Sequence, residues 1–106
     1  MQPDIRQLMT ELRGALELLY GERLRGVYHY GSRARGDFDP DSDLDLLIVL
    51  DRIEDYFEEL DRIIDLYAEK SIEYQISISP VLVSESAWMQ ADTLFVFNAR
   101  REAIAA

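Results

Sequence analysis

Several features that are common in proteins are missing from this sequence of 106 residues. It contains no cysteine, which excludes a disulfide framework and a thiolate metal site. No apolar run approaches the roughly 20 residues that a membrane-spanning helix needs, so no membrane segment is expected. The first residues, Met-Gln-Pro-Asp-Ile-Arg, lack the basic and then apolar order of a signal peptide. Together these absences predict a cytosolic protein.

Positive charge is also scarce, because 11 Lys and Arg residues face 21 Asp and Glu residues and the net charge is −10. Broad binding to nucleic acid needs a basic face that displaces counterions, so direct nucleic-acid binding is not expected. The acidic balance permits divalent cations and a basic protein partner, although such charge also simply keeps a domain soluble. Hydrophobic residues make up 48% and charged residues 30%, which predicts one globular domain over residues 1–106.

Apolar residues recur at helical intervals in two long segments, residues 4–20 and 53–69, and each predicts an amphipathic helix. A further helix is predicted to begin after Ser84, which is a candidate N-cap. Residues 93–101 also favour a helix. The tail over residues 102–106 is expected to be frayed or bound to a partner.

Three segments have the pattern of β-strands. Leu24–Tyr30 is rich in β-forming residues, and Leu44–Leu50 is so apolar that it predicts a central strand covered on both faces. Polar and apolar residues alternate over residues 72–83, where Pro80 should bend the strand or move it to an edge. Residues 38–42 read as a loop. This order predicts an α/β or α+β fold, a small mixed sheet of three to four strands packed against helices.

Two carboxylates, Asp43 and Asp45, stand where the second strand begins. Residues two apart in a strand share a face, so these side chains point the same way, about 6–7 Å apart. Such carboxylates repel each other unless a cation lies between them, and hard oxygen ligands favour Mg²⁺. Asp43 and Asp45 are therefore candidate metal ligands and catalytic residues. The alternative interpretation is that they only cap the entry to the strand.

A phosphate-binding turn is predicted directly after the first strand. Gly31 has no Cβ, so a phosphate can approach its backbone closely. Ser32 offers a hydroxyl and begins a short helical segment, residues 32–37, whose free N–H groups attract an anion. Arg33 and Arg35 add positive charge that suits phosphate, unless they are solvated surface charges. With the aspartate pair, these four candidate nucleotide-binding residues fit an Mg-nucleoside triphosphate.

Other candidate residues have structural interpretations. The single histidine, His29, lies within a predicted strand and is interpreted as structural. Large aromatic residues are expected in the core or at a partner interface rather than around an adenine: Tyr67, Trp88, Phe95 and Phe97. Three polar residues near the C-terminus are compatible with a contact to a partner or a nucleotide: Asn98, Arg100 and Arg101.

The spacing of Gly31-Ser32, ten residues, and then Asp43-x-Asp45 resembles the signature of the polymerase-β-type nucleotidyltransferase superfamily. Four more residues match the minimal nucleotidyltransferase (MNT) proteins of that superfamily: Arg33, Arg35, Gly36 and Ser42. The resemblance implies the small nucleotidyltransferase fold, ATP as co-substrate and Mg²⁺ as cofactor. It also implies that the chain is the antitoxin of a HEPN/MNT toxin–antitoxin pair. Some members transfer AMP to a tyrosine of the HEPN toxin and thereby block its ribonuclease activity.

The superfamily also uses a third carboxylate, on the strand beside the Asp-x-Asp strand. If residues 72–79 form that strand, its polar face carries Glu73, Gln75 and Ser77, with Gln75 at the expected position. Glutamine carries no charge and is a poor general base, and Glu73 replaces it only if the register shifts by two residues. The alternative function is therefore an antitoxin that is catalytically weak or inactive and neutralises the HEPN toxin by binding alone. Homo- and hetero-oligomers are both compatible with the sequence.

Overall fold

The computed structural model describes residues 3–37, 39 and 41–106. The elements follow in the order α1 Ile5–Tyr20, β1 Leu24–Tyr30, α2 Ser32–Arg35, β2 Leu44–Leu50, α3 Tyr56–Tyr74, β3 Ile78–Ser84, α4 Glu85–Gln90, α5 Leu94–Glu102 and β4 Ile104–Ala105. A short 3₁₀ turn over Gly21–Arg23 joins α1 to β1. Among the helices of these described ranges, none is long and apolar enough to cross a membrane.

The strands form one mixed sheet in the order β3-β2-β1-β4. Strand β1 is antiparallel to both β2 and β4, whereas β2 and β3 are parallel. The apolar β2 lies in the interior of the sheet, as its sequence predicts, and nearly all of its side chains are buried. The predicted mixed sheet packed against helices is thus confirmed, with four strands in the described part of the chain.

Two apolar layers cover the two faces of the sheet. Leu46 of β2 packs into the larger core against α1 and α3. Leu47 belongs to a smaller cluster on the other face, which α4 and α5 cover. Because residues two apart in a strand share a face, Asp43 and Asp45 lie on the α4–α5 side of the sheet.

Side-chain caps begin most of the helices. Asp4, Asp55, Ser84 and Thr93 each accept a hydrogen bond from the backbone N–H three residues later. Such caps each stabilise a helix by about 1 kcal/mol, because they satisfy an N–H that has no partner within the helix. The prediction that Ser84 is an N-cap is therefore confirmed.

The predicted strand over residues 72–83 is wrong in its first half. Helix α3 runs from Tyr56 through Tyr74, and Gln75 ends it in the left-handed region with φ of 54°. The helix end is fastened to α1, because the Tyr74 hydroxyl donates to Glu11 Oε2 at 2.6 Å. The apolar residues around this junction alternate as in a strand although a helix ends there, and β3 begins only at Ile78.

The C-terminal tail is neither frayed nor free in the structure, which corrects the expectation for residues 102–106. Ile104–Ala105 forms the edge strand β4, paired with Tyr28 and His29 of β1. The Ala106 N–H also donates to the Val27 carbonyl at 2.9 Å. The backbone groups of β1 would otherwise be an unpaired edge, so the tail completes the sheet.

Candidate functional site

Asp43 and Asp45 lie at the start of β2, on the face that α4 and α5 cover. Asp45 is opposite Tyr30 of β1 and beside Ser79 of β3 in the strand register. The Ser79 hydroxyl donates to Asp43 Oδ2 at 3.2 Å. Asp43 is exposed and Asp45 is half-buried. The two carboxylates are therefore open to a ligand from one side.

The electrostatics of Asp45 fit a cation-binding position. Burial raises the pKa of this carboxyl above its usual value of 3.8, and the negative charges of Asp43 and Glu102 raise the pKa further. A cation bound to the pair would remove that repulsion. In the part of the chain that the structure describes, no cluster of three carboxylate, cysteine or histidine side chains could hold a metal ion.

The backbone of Gly31 lies directly against the side chain of Asp45. Its φ of 77° lies in the region that favours glycine. A Cβ at this position would collide with Asp45 Oδ2, so no other residue fits without a shift. The glycine that the sequence singles out is thus needed for this approach. It brings the Asp45 carboxylate close to the Gly31 backbone.

Glu102, the last residue of α5, is a functional candidate that sequence reasoning missed. The Gly31 N–H donates to Glu102 Oε1 at 3.0 Å. Arg35 Nη1 donates to Glu102 Oε2 at 2.9 Å. The sequence carries no signal for this contact, because 71 residues separate Glu102 from Gly31 and the tail looked unstructured.

The two arginines of the predicted turn have different environments. Arg35 is exposed beside Gly31, and its Nε also donates to Asp37 Oδ2 at 3.2 Å. Arg33 is buried, and its Nε donates to the Ser42 carbonyl at 3.0 Å. This bond holds the residue immediately before Asp43. The geometry therefore places Arg35 next to the candidate phosphate position and Arg33 beneath the following loop.

The rest of that turn is only partly described. Ser32 begins α2, as predicted from sequence, and is half-buried. In the predicted loop over residues 38–42, Phe38 and Pro40 lie outside the described residues. The Ser42 N–H donates to the Asp39 carbonyl at 3.1 Å, which forms a turn before β2.

The position beside the aspartate pair on the neighbouring strand belongs to Ser79. The sequence predicted Gln75 there, with Glu73 as a substitute after a register shift of two residues, and this is wrong because α3 extends to Tyr74. Glu73 lies in that helix and forms an ion pair with Lys70, whose Nζ is 3.1 Å from Glu73 Oε2. Gln75 is the residue that ends the helix. The neighbouring strand therefore offers a hydroxyl rather than a carboxylate.

Aromatic side chains form one wall near the aspartates. The rings of Tyr30 and Phe95 meet edge to face with centroids 5.6 Å apart. Burial, and then the charge of Asp45, raise the pKa of Tyr30 to about 12, so its hydroxyl stays protonated. Trp88 is buried in the α4–α5 layer, which agrees with its predicted core position, whereas Phe95 and Phe97 remain half-exposed.

A polar hollow of about 470 Å³ adjoins this wall. Its lining includes Arg35, Asn98, Arg101 and Glu102, which come from α2 and α5. Arg101 stacks on the ring of Phe97, with its guanidinium carbon 5.9 Å from the ring centroid. Two guanidinium groups beside one carboxylate make the hollow suitable for an anion with several negative charges.

His29 lies on the opposite side of the sheet from the aspartates. It lines a separate hollow with Ile5, Met9 and Ile104. Burial lowers the pKa of the imidazole below 6.5, so the ring is neutral at pH 7. Its position agrees with the structural interpretation of this residue.

Comparison with known proteins gives a family match over most of the chain. A family model described as "Nucleotidyltransferase domain" matches residues 9–101. A Methanocaldococcus jannaschii protein named as a putative protein adenylyltransferase is 30% identical over 83 residues. That alignment covers 78% of this chain and 83% of the relative.

Solved structures share the fold. A structure named as a putative minimal nucleotidyltransferase superposes with a TM-score of 0.61 at 24% identity and covers 95% of this chain and 94% of its own. The crystal structure of a toxin–antitoxin with AMP-PNP gives a TM-score of 0.62 at 14% identity, with coverage of 90% and 69%. At these identities the likeness shows a common fold.

Proposed function

Because the chain belongs to the nucleotidyltransferase domain family, we propose that it is an ATP- and Mg²⁺-dependent antitoxin of the cytoplasm. In this proposal it transfers AMP to the hydroxyl of a tyrosine on a partner HEPN toxin and thereby neutralises that toxin. The observation that carries the proposal is the close contact of Gly31 with Asp45, since it brings the turn of Gly31 and Ser32 against the carboxylate pair.

The residues of the site have distinct roles in this proposal. Asp43 and Asp45 hold Mg²⁺, which supplies positive charge that stabilises the phosphate oxygens during transfer. Gly31, Ser32 and Arg35 receive the triphosphate. Of the two arginines predicted to contact phosphate, Arg35 takes that role, and Arg33 supports the turn by donating to the Ser42 carbonyl.

The transfer needs one bond to form and one to break. The tyrosine oxygen bonds to the α-phosphorus of ATP, the bond from that phosphorus to the bridging oxygen breaks, and pyrophosphate leaves. The tyrosine proton goes to a carboxylate or to water.

The choice of a toxin as acceptor has two supports. One structural neighbour is described as a toxin–antitoxin with AMP-PNP, and it shares this fold. The net charge of −10 suits a basic protein partner.

The test is to incubate the protein with ATP, Mg²⁺ and the product of its neighbouring gene, and to measure the intact mass of that partner. We expect one added AMP per modified tyrosine, and no adduct with the double variant Asp43→Asn, Asp45→Asn. Asp41→Asn serves as the matched control, because it removes an exposed carboxylate of the same loop. An unmodified partner under all of these conditions would refute transfer.

The second candidate function is neutralisation by binding alone. It is favoured by Ser79, which occupies the strand position where the superfamily resemblance implies a third carboxylate. In this case the Asp43→Asn, Asp45→Asn variant still protects cells that express the toxin. Loss of protection by a variant that folds and still binds the toxin would decide for transfer.

A further inference from the structure

Glu102 occupies the anion position of the candidate phosphate cradle. Its two carboxylate oxygens accept from the Gly31 N–H and from Arg35, at 3.0 and 2.9 Å. These two donors are the backbone and the arginine beside Asp45 that a triphosphate would use. The structure therefore contains an internal carboxylate where the proposed substrate would bring its own negative oxygens.

One anion must exclude the other at these donors. A backbone N–H makes one strong hydrogen bond, so Glu102 and a phosphate oxygen compete for that of Gly31. A phosphate that enters the cradle must therefore move the Glu102 side chain away.

Glu102 is placed so that it can move. It is the last residue of α5, where the negative end of the helix dipole disfavours a carboxylate. Its contacts with Gly31 and Arg35 offset that cost until another anion takes these donors. The side chain is 26% exposed and borders the hollow of Arg35, Asn98 and Arg101, so it has room to rotate toward solvent.

We propose that Glu102 is an intramolecular competitor of the nucleotide, which holds the cradle of Gly31 and Arg35 closed until a phosphate replaces its carboxylate. The proposal rests on the proposed nucleotide-binding function of the site. It adds a residue that sets the affinity for ATP, and it predicts that shortening or neutralising Glu102 makes binding tighter. A residue that only supports the cradle would have the opposite effect.

The test measures the Kd of Mg-ATP by calorimetry for the wild type, Glu102→Gln and Glu102→Asp. Glu102→Gln removes the charge, and Glu102→Asp keeps the charge but shortens the reach by one methylene. We expect both variants to bind about tenfold more tightly, the equivalent of one charge-assisted hydrogen bond lost by the competitor. Thermal melting of each variant confirms that it is folded, and Glu102→Asp remains informative if Glu102→Gln does not fold.

Asp37→Asn is the matched control. It removes a carboxylate that pairs with the same Arg35, and it changes the net charge by as much as Glu102→Gln does. Glu102 still accepts from the Gly31 N–H in this variant. We expect its Kd to stay close to that of the wild type, since exposed ion pairs contribute little. Unchanged or weaker binding by both Glu102 variants, with wild-type binding intact, overturns the competitor role alone. Absence of Mg-ATP binding in every chain overturns the nucleotide site as well.

Discussion

At the scale of single residues, the site depends on the absence of a side chain at position 31. The Asp45 carboxylate occupies the space that a Cβ at position 31 would need. Sequence reasoning identified both residues from their spacing, because glycine after a strand and paired aspartates at a strand start are local signals. It did not identify Glu102 or Ser79, because their roles depend on which distant segments the fold brings together.

Gly31→Ala should disable the site more than it destabilises the fold. The added Cβ collides with Asp45 Oδ2, and the φ of 77° strains any alanine there. We expect a loss of about 1–3 kcal/mol in the free energy of unfolding and a large loss of ATP affinity. Denaturant unfolding and calorimetry measure the two effects.

Gly14→Ala is the control for that substitution. Gly14 lies in α1, and beyond the backbone of that helix nothing comes within 4 Å of the position that a Cβ would take, so alanine is accommodated. We expect a gain of about 0.4–1 kcal/mol in stability and no change in ATP affinity. A similar loss of affinity in both variants would contradict the specific role of Gly31.

Ser79→Asp should test whether a missing carboxylate limits transfer. Ser79 already donates to Asp43, so an aspartate here would add a third carboxylate to the pair. If the enzyme is slow for want of this group, we expect the AMP-transfer rate to rise, by up to about 10²-fold when it acts as a base. Single-turnover assays at saturating Mg²⁺ measure the rate. Ser79→Ala should leave it nearly unchanged, and a slower Ser79→Asp enzyme would contradict the idea.

At the scale of elements, the strands nearest the site were predictable and the end of α3 beyond residue 69 was not. Leu24–Tyr30 and Leu44–Leu50 form strands with the predicted bounds, since their composition alone decides them. The end of α3 is decided instead by Glu11, which binds Lys70 and Tyr74 from another helix. Such long-range contacts leave no periodic trace in the sequence. The pairing of the C-terminal tail with β1 is also a long-range contact that no periodic pattern predicts.

The Glu11 contacts should make stability depend on pH in the acid range. Hydrogen bonds from Lys70 and then Tyr74 lower the pKa of Glu11 from 4.5 to about 2. The unfolded chain therefore binds a proton first as pH falls, so the contribution of Glu11 is complete above pH 4.5 and is lost between that value and about 2. Glu11→Gln should flatten this part of the stability profile.

Denaturant unfolding at about pH 6 and about pH 3 measures this difference. Glu17→Gln is the control, because Glu17 pairs with Arg13 on the exposed face of the same helix. We expect the control to follow the wild-type profile. Equal slopes for the Glu11→Gln variant and the wild type would show that the contacts of Glu11 are broken in solution.

At the scale of the whole molecule, the acidic side chains differ in their surroundings. Much of the net charge of −10 is solvated, and several carboxylates of α3 are engaged with Arg62 and Lys70. Asp43 and Asp45 differ from these, because they lie close together at the start of β2, where the charge of Asp43 raises the pKa of Asp45. We therefore expect this pair to gain most from a divalent ion.

Mg²⁺ should stabilise the protein beyond the general effect of salt. At ten times its Kd, a bound ion adds about 1.4 kcal/mol to the free energy of unfolding, which raises Tm by roughly 5 °C in a domain of this size. The measurement compares MgCl₂ with NaCl at equal ionic strength. The excess from Mg²⁺ should vanish in the Asp43→Asn, Asp45→Asn variant, and an excess that persists there would place the ion elsewhere.

The buried Trp88 gives the molecule an intrinsic optical probe. It is the sole tryptophan of the sequence, and it stacks on Tyr28 with ring centroids 4.8 Å apart. The Arg100 guanidinium carbon lies 5.9 Å from its ring centroid, and Arg100 and Glu102 belong to the same helix. Its fluorescence therefore reports the seating of α4 and α5 on the sheet without any attached dye. A stopped-flow experiment could follow the arrival of a nucleotide or a partner through this one signal, in the unmodified protein.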